Sequence, residues 1–264
     1  MLRRLILLIS VASVLAFVGS VSAAERWSTT SYPGDEQFWG NASTWWDNPA
    51  PTDQDNTFID GFQVWVMLDE AGQCAQLRVG DWHNMWSPSE FRIYAGTELV
   101  INKDYGTGNF ELGVQPYRDW GNPDWGNHGW GIVTMNGGNV TVANVLAVGV
   151  QGVGEFYLKG GTIQAESFSM GTPQTDLSQA LGPYDFVAAG KDNLMDITGG
   201  KLLLAGDITS LDPRVVAYGG AGSLVFVYKA DLPGYTTITA IPEPATMVLM
   251  GIGGLSLLRN RKRS

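Results

Sequence analysis

Short segments in which apolar and polar residues alternate follow one another along most of the chain, and many of them end at glycine. Alternation with a period of two predicts a β-strand with one buried face, because successive side chains of a strand point to opposite sides. One kind of segment ends in one or two glycines, and it occurs at residues 91–96, 132–138, 155–161 and 194–200. A second kind is a short apolar strand that closes on a single glycine, and it occurs at residues 77–80, 110–113, 146–149, 168–171 and 203–206.

The two kinds of segment alternate most regularly within residues 135–171, which form an internal repeat. Gly138 and Gly161 each end a glycine pair and lie 23 residues apart. A repeat this short cannot bury its own apolar face, so it is normally one coil of a stack whose core runs through its neighbours. We therefore expect an all-β fold: a right-handed parallel β-helix (solenoid) of irregular coils of about 23 residues with loop insertions.

Two longer intervals between glycines indicate insertions into the stack. The interval from Gly96 to Gly138 is 42 residues and that from Gly161 to Gly200 is 39, so they exceed the 23-residue coil by 19 and 16 residues. The extra stretches include residues 115–130 and 172–185. Insertions that leave a regular stack undisturbed project from its turns, where solenoids commonly place their binding surfaces.

Both ends of the stack carry segments that can cover its core. Residues 25–61 are rich in tryptophan and predict a first coil or a cap, since bulky aromatic side chains can cover an open apolar end. Residues 224–228 and 231–238 predict a closing hairpin. The predicted ectodomain is residues 25–240, flanked by an N-terminal signal helix and a C-terminal membrane helix.

Composition and charge narrow the range of partners. A chain of 264 residues with 44% hydrophobic residues can bury a sizeable core within one β-rich domain. Residues 24–241 contain ten basic and 25 acidic residues. Such an acidic surface repels phosphate backbones, so we predict no nucleic-acid partner. Cys74 is the only cysteine, so no intrachain disulfide can form.

Residues 1–24 have the three parts of a secretory signal peptide. Arg3 and Arg4 supply the positive start, and residues 5–18 supply the apolar centre. Small residues then lead to a predicted cleavage site after Ala23 or Ala24. A retained membrane anchor is the alternative, but the apolar run is short and ends in small residues. We therefore expect the chain to be exported.

Residues 241–264 form a second membrane-directed segment. Pro242-Glu243-Pro244 precedes an apolar stretch at residues 245–258, and residues 259–264 contain four basic side chains. The apolar stretch of 14 residues is shorter than the ~20 that cross a bilayer comfortably, so it spans only if the bilayer thins or the arginines reach the interface. The basic end is expected to stay in the cytoplasm, with the rest of the chain outside.

This tail and the glycine-rich repeat together resemble planctomycete-type PEP-CTERM sorting-domain surface proteins. The resemblance rests on the proline-glutamate-proline core, the short apolar segment and the basic end, paired with a signal peptide. It implies that an exosortase-like membrane protease recognises Pro242, Glu243 and Pro244 and removes the membrane segment. The membrane contact is then transient, and the membrane-anchored precursor becomes a cell-surface or extracellular protein, often in exopolysaccharide. A plain tail anchor is the alternative.

The candidate catalytic and metal-binding residues show little of the spacing that known catalytic or metal-binding motifs require. The chain has no Walker loop, Gly-x-Ser-x-Gly elbow, His-Glu-x-x-His or Cys-x-x-Cys motif. Because parallel β-helices include polysaccharide lyases and hydrolases, the charged strand residues are the candidates: Glu155, Glu166, Asp196, Asp207, Lys159, Lys191 and Lys201. Their spacing matches that of solvated strand positions, so we predict no enzymatic activity. Asp53, Asp55 and Asp60 suggest a calcium loop only weakly, because the ligand spacing is incomplete, and we predict no cofactor.

Tryptophans in turns and insertions are the strongest candidates for ligand recognition. A planar indole flanked by amides and carboxylates suits the apolar face and hydroxyl rim of a sugar ring. The candidates are Trp82, Trp86, Trp120, Trp125 and Trp130. The alternative is that these side chains fold over an edge of the stack and are buried. Three functions are therefore open: a non-catalytic structural or adhesive surface protein, a carbohydrate-binding module, and a polysaccharide lyase or hydrolase.

Overall fold

The computed structural model describes residues 24–28, 36–46, 49–60, 65–80, 88–114, 129–150, 152–171 and 192–243. Strands dominate this part of the chain, whose helical structure is limited to two single 3-10 turns, Ala42–Thr44 and Tyr218–Gly220. The prediction of an all-β fold is confirmed for these residues. The predicted signal helix and the predicted membrane helix at residues 245–258 lie outside them.

Sixteen strands are present in the described part of the chain. They are β1 (Glu25–Trp27), β2 (Glu36–Phe38), β3 (Asn56–Ile59), β4 (Trp65–Leu68), β5 (Gly72–Cys74), β6 (Gln76–Val79), β7 (Ser89–Ile93), β8 (Glu98–Ile101), β9 (Phe110–Leu112), β10 (Trp130–Val148), β11 (Val153–Met170), β12 (Leu194–Ile197), β13 (Lys201–Ala205), β14 (Val215–Ala217), β15 (Gly222–Tyr228) and β16 (Tyr235–Pro242).

Parallel pairing sorts these strands into three rows, which we call rows A, B and C. Row A consists of β1, β3, β6 and β9, followed by the last residues of β10 and β11. Row B consists of β2, β4 and β7, the first residues of β10 and β11, and then β12 and β14. Row C consists of β5, β8, the middle residues of β10 and β11, and β13. From β4 to β13 the chain therefore passes through rows B, C and A in turn, and strands of the same row pair with one another from one circuit to the next.

The long strands β10 and β11 each run through all three rows. Trp130 pairs with Val153 and Asn139 with Thr162, so the two strands are offset by 23 residues at these positions. The register shifts where the strands bend from row to row. Gly161 lies at the bend from row B to row C with a φ of 80°, which an L-amino acid rarely adopts.

Residues 203–206 depart from the predicted pattern. The sequence groups them with the short apolar strands that close on one glycine, which otherwise all lie in row A. Leu203 instead pairs with Gln164 in row C, and residues 206–213 follow without forming a row A strand. The prediction was wrong here because strands of rows A and C share the same local pattern, and only the pairing partner distinguishes them.

Long connections leave the stack at one corner, between row A and row B. The chain leaves row A at the ends of β6, β9 and β11 and enters row B at the starts of β7, β10 and β12. The connecting residues are 80–88, 113–129 and 171–193, whereas only residues 149–152 join β10 to β11 at the same corner. The predicted insertions therefore emanate from a single edge of the stack.

The interior of the stack is apolar and continuous from one circuit to the next. Phe110 meets Phe91 and Phe156 edge-on, with ring centroids 6.4 and 6.0 Å apart. All three are fully buried, and so is Cys74. Burial raises the pKa of the Cys74 thiol.

Two tryptophans are buried in the first circuit, within the segment predicted to be a first coil or cap. Trp39 and Trp45 are at most 2% exposed, and their rings meet edge-on with centroids 5.3 Å apart. The indole nitrogen of Trp45 donates a hydrogen bond of 2.9 Å to the carbonyl oxygen of Trp39. Trp46, the next residue, is 70% exposed.

Candidate functional site

The chain leaves the folded sheet through an antiparallel hairpin, as the sequence predicts. β16 pairs with β13 on one side and with β15 on the other. Pro242 pairs with Gly222, and the amide of Glu243 donates a hydrogen bond of 3.2 Å to the carbonyl of Ala221. The first two residues of the predicted sorting motif are therefore tied to the sheet, and Pro244 lies outside the described residues.

Proline fits its place in this ladder because its nitrogen faces away from β15. In an antiparallel pair, alternate residues make the inter-strand bonds, and Tyr235 and Glu243 bond to Lys229 and Ala221, the residues that flank β15. Pro242 falls between such residues. Pairing with β13 ends at Ile238, so the nitrogen of Pro242 points to an edge where the described residues contain no partner strand. Strands tolerate proline at such an edge.

Exposure changes sharply along β16. Ile238 is fully buried and pairs with both neighbouring strands, whereas Ile241 is 50% exposed. An ion pair of 2.7 Å between Lys201 and Asp231 ties the turn of the hairpin to β13, and it lowers the pKa of the Asp231 carboxyl. The hairpin is thus anchored at its turn and at its middle, and β16 becomes exposed again at Ile241.

The outward face of row B carries polar and aromatic side chains on neighbouring strands. Arg92 binds Glu90 through two bonds of 2.9 Å, and its guanidinium lies 4.7 Å from the centre of the Trp65 ring. The Thr134 hydroxyl donates a bond of 3.5 Å to Glu90 from the next strand. Sequence analysis missed this cluster because its members meet only once the row is assembled. The only sequence signal for this cluster was the alternation of polar and apolar residues within each strand.

Glu155, a candidate catalytic acid, is engaged in hydrogen bonds. It is 8% exposed and accepts one bond from the indole nitrogen of Trp130 at 3.1 Å and one from the Tyr157 hydroxyl at 2.5 Å. Burial and the adjacent Glu155 carboxylate raise the pKa of Tyr157. Lys159 lies over the Tyr157 ring, with its nitrogen 5.8 Å from the ring centre.

The other candidate catalytic residues differ in their position relative to Glu155. Glu166 forms an exposed ion pair of 3.1 Å with Lys103. Asp196 accepts a bond of 2.9 Å from the amide of Gly219, and Asp207 is exposed beyond the end of β13. Lys201 is paired at the hairpin turn, as described above, and Lys191 lies outside the described residues. Asp196 also pairs with Tyr157 from the neighbouring strand β12 and, with burial and Glu155, raises the pKa of the Tyr157 hydroxyl, so the structure brings together Glu155, Tyr157, Lys159 and Asp196 on row B.

Only one of the five candidate tryptophans lies within the described residues. The sequence predicts that Trp130 lies in a turn or insertion. In the structure Trp130 is instead the first residue of β10, and it is 5% exposed. Its indole nitrogen is bound to Glu155, so its ring is packed against the stack and does not present an open face. Trp82, Trp86, Trp120 and Trp125 lie outside the described residues.

Two of the three aspartates of the weak calcium prediction, Asp55 and Asp60, form hydrogen bonds with other residues. Asp55 is buried, accepts bonds of 2.8 Å from the amide and hydroxyl of Thr52, and lies 3.3 Å from Arg26. Asp60 is buried. Its backbone amide donates to the Ser28 hydroxyl and its backbone carbonyl accepts from that hydroxyl, each at 3.1 Å. Within the described ranges, no group of three or more His, Cys, Asp or Glu side chains is arranged to hold a metal ion.

An open groove of about 360 Å³ lies beside the last row A residues of β11. Its floor is mainly apolar, and Phe168, Ile208 and Leu211 contribute to it. Asp212 at its rim is bound to Arg214 at 2.8 Å, and this bond lowers the pKa of Asp212 to about 2. Arg214 also donates to the carbonyl of Gly171 at 2.7 Å, which fastens residues 206–214 to the end of β11.

Comparison with known proteins identifies the tail. Residues 240–263 match the family described as the PEP-CTERM protein-sorting motif. This match supports the interpretation of the tail as a sorting signal, and it implies export, a membrane-anchored stage and processing by an exosortase before release. No curated protein and no solved structure shows significant similarity to the chain. Among the described residues, no helix has the length and apolar character needed to cross a membrane.

Proposed function

We propose that this chain is an exported, exosortase-sorted protein of the cell surface or extracellular matrix. Its ectodomain is a non-catalytic, right-handed parallel β-solenoid with a structural or adhesive role in exopolysaccharide. The observation that carries the proposal is the direct junction between an uninterrupted stack of paired strands and a matched sorting motif.

The arrangement of the acidic residues supports a non-catalytic role. Glycosidases need two carboxyl groups that flank one bond, about 5 to 10 Å apart. Glu155 is occupied by Trp130 and Tyr157, and Glu166 is paired with Lys103. A stack whose side chains are already paired in this way suits a rigid spacer better than a reactive groove.

The sorting part of the proposal is tested by following the full-length chain in a host that contains an exosortase and in the same host without it. We expect conversion to a shorter surface or released form only when the exosortase is present. Changing both Pro242→Ala and Glu243→Ala should leave the precursor uncleaved, whereas Pro233→Ala, in the hairpin turn, should be processed normally. Equal conversion with and without the exosortase would contradict the proposal.

The structure also bears on the predicted signal-peptide cleavage site. The carbonyl of Ala24 accepts a bond of 2.7 Å from the amide of Asn56, next to the pairing of β1 with β3. Cleavage after Ala23 keeps this bond, and cleavage after Ala24 removes it. We therefore favour Ala24 as the first residue of the mature protein, and N-terminal sequencing of the exported form checks this.

A carbohydrate-binding module is the second candidate function, and one observation favours it. The connections that contain Trp82, Trp86, Trp120 and Trp125 leave the stack at the same corner, between rows A and B. Aromatic residues attached along one edge of a rigid stack can contact successive sugars of a single glycan chain.

Affinity measurements with the exported protein test this second function. Trp120→Ala with Trp125→Ala should weaken binding to the exopolysaccharide of the host by about tenfold, the effect of losing ~1.4 kcal/mol. Trp46→Ala is the matched control, because Trp46 is 70% exposed and lies in the first circuit. Equal affinities of the wild type and the double variant would exclude these tryptophans as the site.

A further inference from the structure

The sorting tail and the folded ectodomain share residues. The match to the sorting motif begins at residue 240, whereas β16 runs to Pro242 and the amide of Glu243 still bonds to Ala221. The sheet therefore continues three to four residues into the matched region. The same backbone groups serve the fold and the segment that the protease must read.

Pairing with β15 conflicts with access by a protease. Recognition of an extended segment uses main-chain hydrogen bonds along its edges, and β15 occupies one edge of β16 as far as Glu243. The apolar segment begins at residue 245, and two residues span at most about 7 Å. While Pro242 and Glu243 stay paired, little chain therefore separates the sheet from the predicted membrane segment, and the bulk of the stack restricts the approach of the protease to the motif.

We propose that β15 is a latch that withholds the sorting motif from the exosortase until the last rungs of the β15–β16 hairpin open. This inference rests on the proposed function, in which an exosortase processes this tail. Opening extends from Glu243 back to Ala240 and stops at Ile238, which is fully buried and paired on both sides. Cleavage of a transiently opened segment follows the population of its open form. The stability of the last rungs therefore controls the processing rate.

An insertion that frees the motif tests the latch in the full-length chain. Six Gly and Ser residues placed between Ile241 and Pro242 leave Pro242 to Ser264 intact but separate them from β15. We expect processing in an exosortase-containing host to be about fivefold faster than for the wild type, because the bond from Glu243 to Ala221 no longer opposes opening. The control places the same insertion between Pro233 and Gly234 in the hairpin turn, and its rate should stay within about twofold of the wild type. Protection of Cys74 from a thiol reagent verifies the fold of both variants.

A disulfide across the hairpin tests the opposite direction. Leu224 and Ala240 lie directly opposite each other, at a position between the inter-strand bonds where the Cα atoms approach most closely. Leu224→Cys with Ala240→Cys should slow processing about fivefold, and a reductant in the medium should restore the rate. Each single cysteine variant is the control and should be processed at the wild-type rate.

The outcomes separate the latch from the function on which it rests. A processing rate of the insertion variant at or below that of the wild type would overturn the latch. An unchanged rate in the oxidised double-cysteine variant would also overturn it. Failure of the exosortase to convert the wild-type chain would overturn the proposed function instead.

Discussion

At the residue scale, the glycines at the bends between rows tolerate substitution to different degrees, because some of them contact the preceding circuit and others do not. Gly161 and Gly96 both lie at the bend from row B to row C, with φ of 80° and 86°. A Cβ atom at Gly161 would overlap the carbonyl oxygen of Gly138, whereas a Cβ atom at Gly96 meets no atom within 4 Å. The two positions share the backbone conformation and differ in free space.

Alanine substitution at these two corners separates backbone strain from steric overlap. Gly96→Ala should cost about 1 kcal/mol, the cost of a left-handed conformation with a side chain. Gly161→Ala should cost about 3 kcal/mol or more, because the neighbouring backbone must also move. Midpoints of urea unfolding of the exported protein measure both. Equal midpoints for the two variants would show that the circuits separate easily at this corner.

Asn193 joins three circuits at the corner between rows A and B. It is 1% exposed, accepts a bond of 2.9 Å from the amide of Gly154, and donates to the carbonyls of Gly149 at 3.2 Å and Gly171 at 2.9 Å. This side chain therefore satisfies backbone groups that the corner leaves unpaired.

Substitution of Asn193 should be costly and, in one variant, dependent on pH. Asn193→Ala should lower the free energy of unfolding by about 2 to 4 kcal/mol, because buried backbone groups lose their partners. Asn193→Asp places a carboxylate against two carbonyl oxygens, which raises the pKa of the new carboxyl in the folded state. The variant should therefore be more stable at pH 4 than at pH 7, as thermal unfolding at both values can show. If Asn193→Asp were less stable than the wild type by the same amount at both pH values, this explanation would be contradicted.

At the scale of elements, local pattern predicts strands but not their neighbours. The segments at residues 132–138 and 155–161 are strands as predicted, because alternation and glycine corners are properties of the chain itself. The row of residues 203–206 depends on a partner strand, and the burial of Trp130 depends on Glu155, 25 residues away. The overlap between β16 and the sorting motif depends in the same way on β15. What could not be predicted is therefore the set of contacts between circuits.

The irregular segment 206–214 replaces a row A strand and is attached to β11 through the side chain of Arg214. The guanidinium donates to the carbonyls of Gly171 and Met170, and its ion pair with Asp212, inside the segment, fixes its orientation. The partner arginine lowers the pKa of the Asp212 carboxyl to about 2, from an ordinary value of 3.8. Its contribution to stability is present above pH 3.8 and is lost as the pH falls towards 2.

Lowering the pH should therefore destabilise the wild type more than a variant that lacks the Asp212–Arg214 pair. Between pH 5 and pH 2 the wild type should lose about 1 kcal/mol more stability than Asp212→Asn, a value reduced because the pair is partly exposed. Thermal unfolding across this range, compared between the two proteins, measures the difference. Parallel pH profiles would mean that the pair adds nothing to the attachment of the segment.

At the scale of the whole molecule, acidic residues outnumber basic residues over residues 24–241. Residues 24–241 contain ten basic and 25 acidic residues. In the part of this range that the structure describes, ion pairs are formed by Arg26, Arg78, Arg92, Lys103, Lys201 and Arg214. The acids in excess repel one another, and this repulsion weakens as salt shortens the screening length from about 30 Å at 0.01 M to about 10 Å at 0.1 M.

Salt should therefore stabilise the exported protein. We expect its melting temperature to rise by a few degrees between 0.01 M and 0.3 M NaCl, because screening relieves more repulsion than it costs in paired charges. CaCl2 and MgCl2 at matched ionic strength should raise it equally, since aspartates such as Asp55 are committed to protein partners. A fall in melting temperature with NaCl would mean that the ion pairs outweigh the repulsion. A rise specific to calcium would instead mean that acidic side chains gather around the ion in solution.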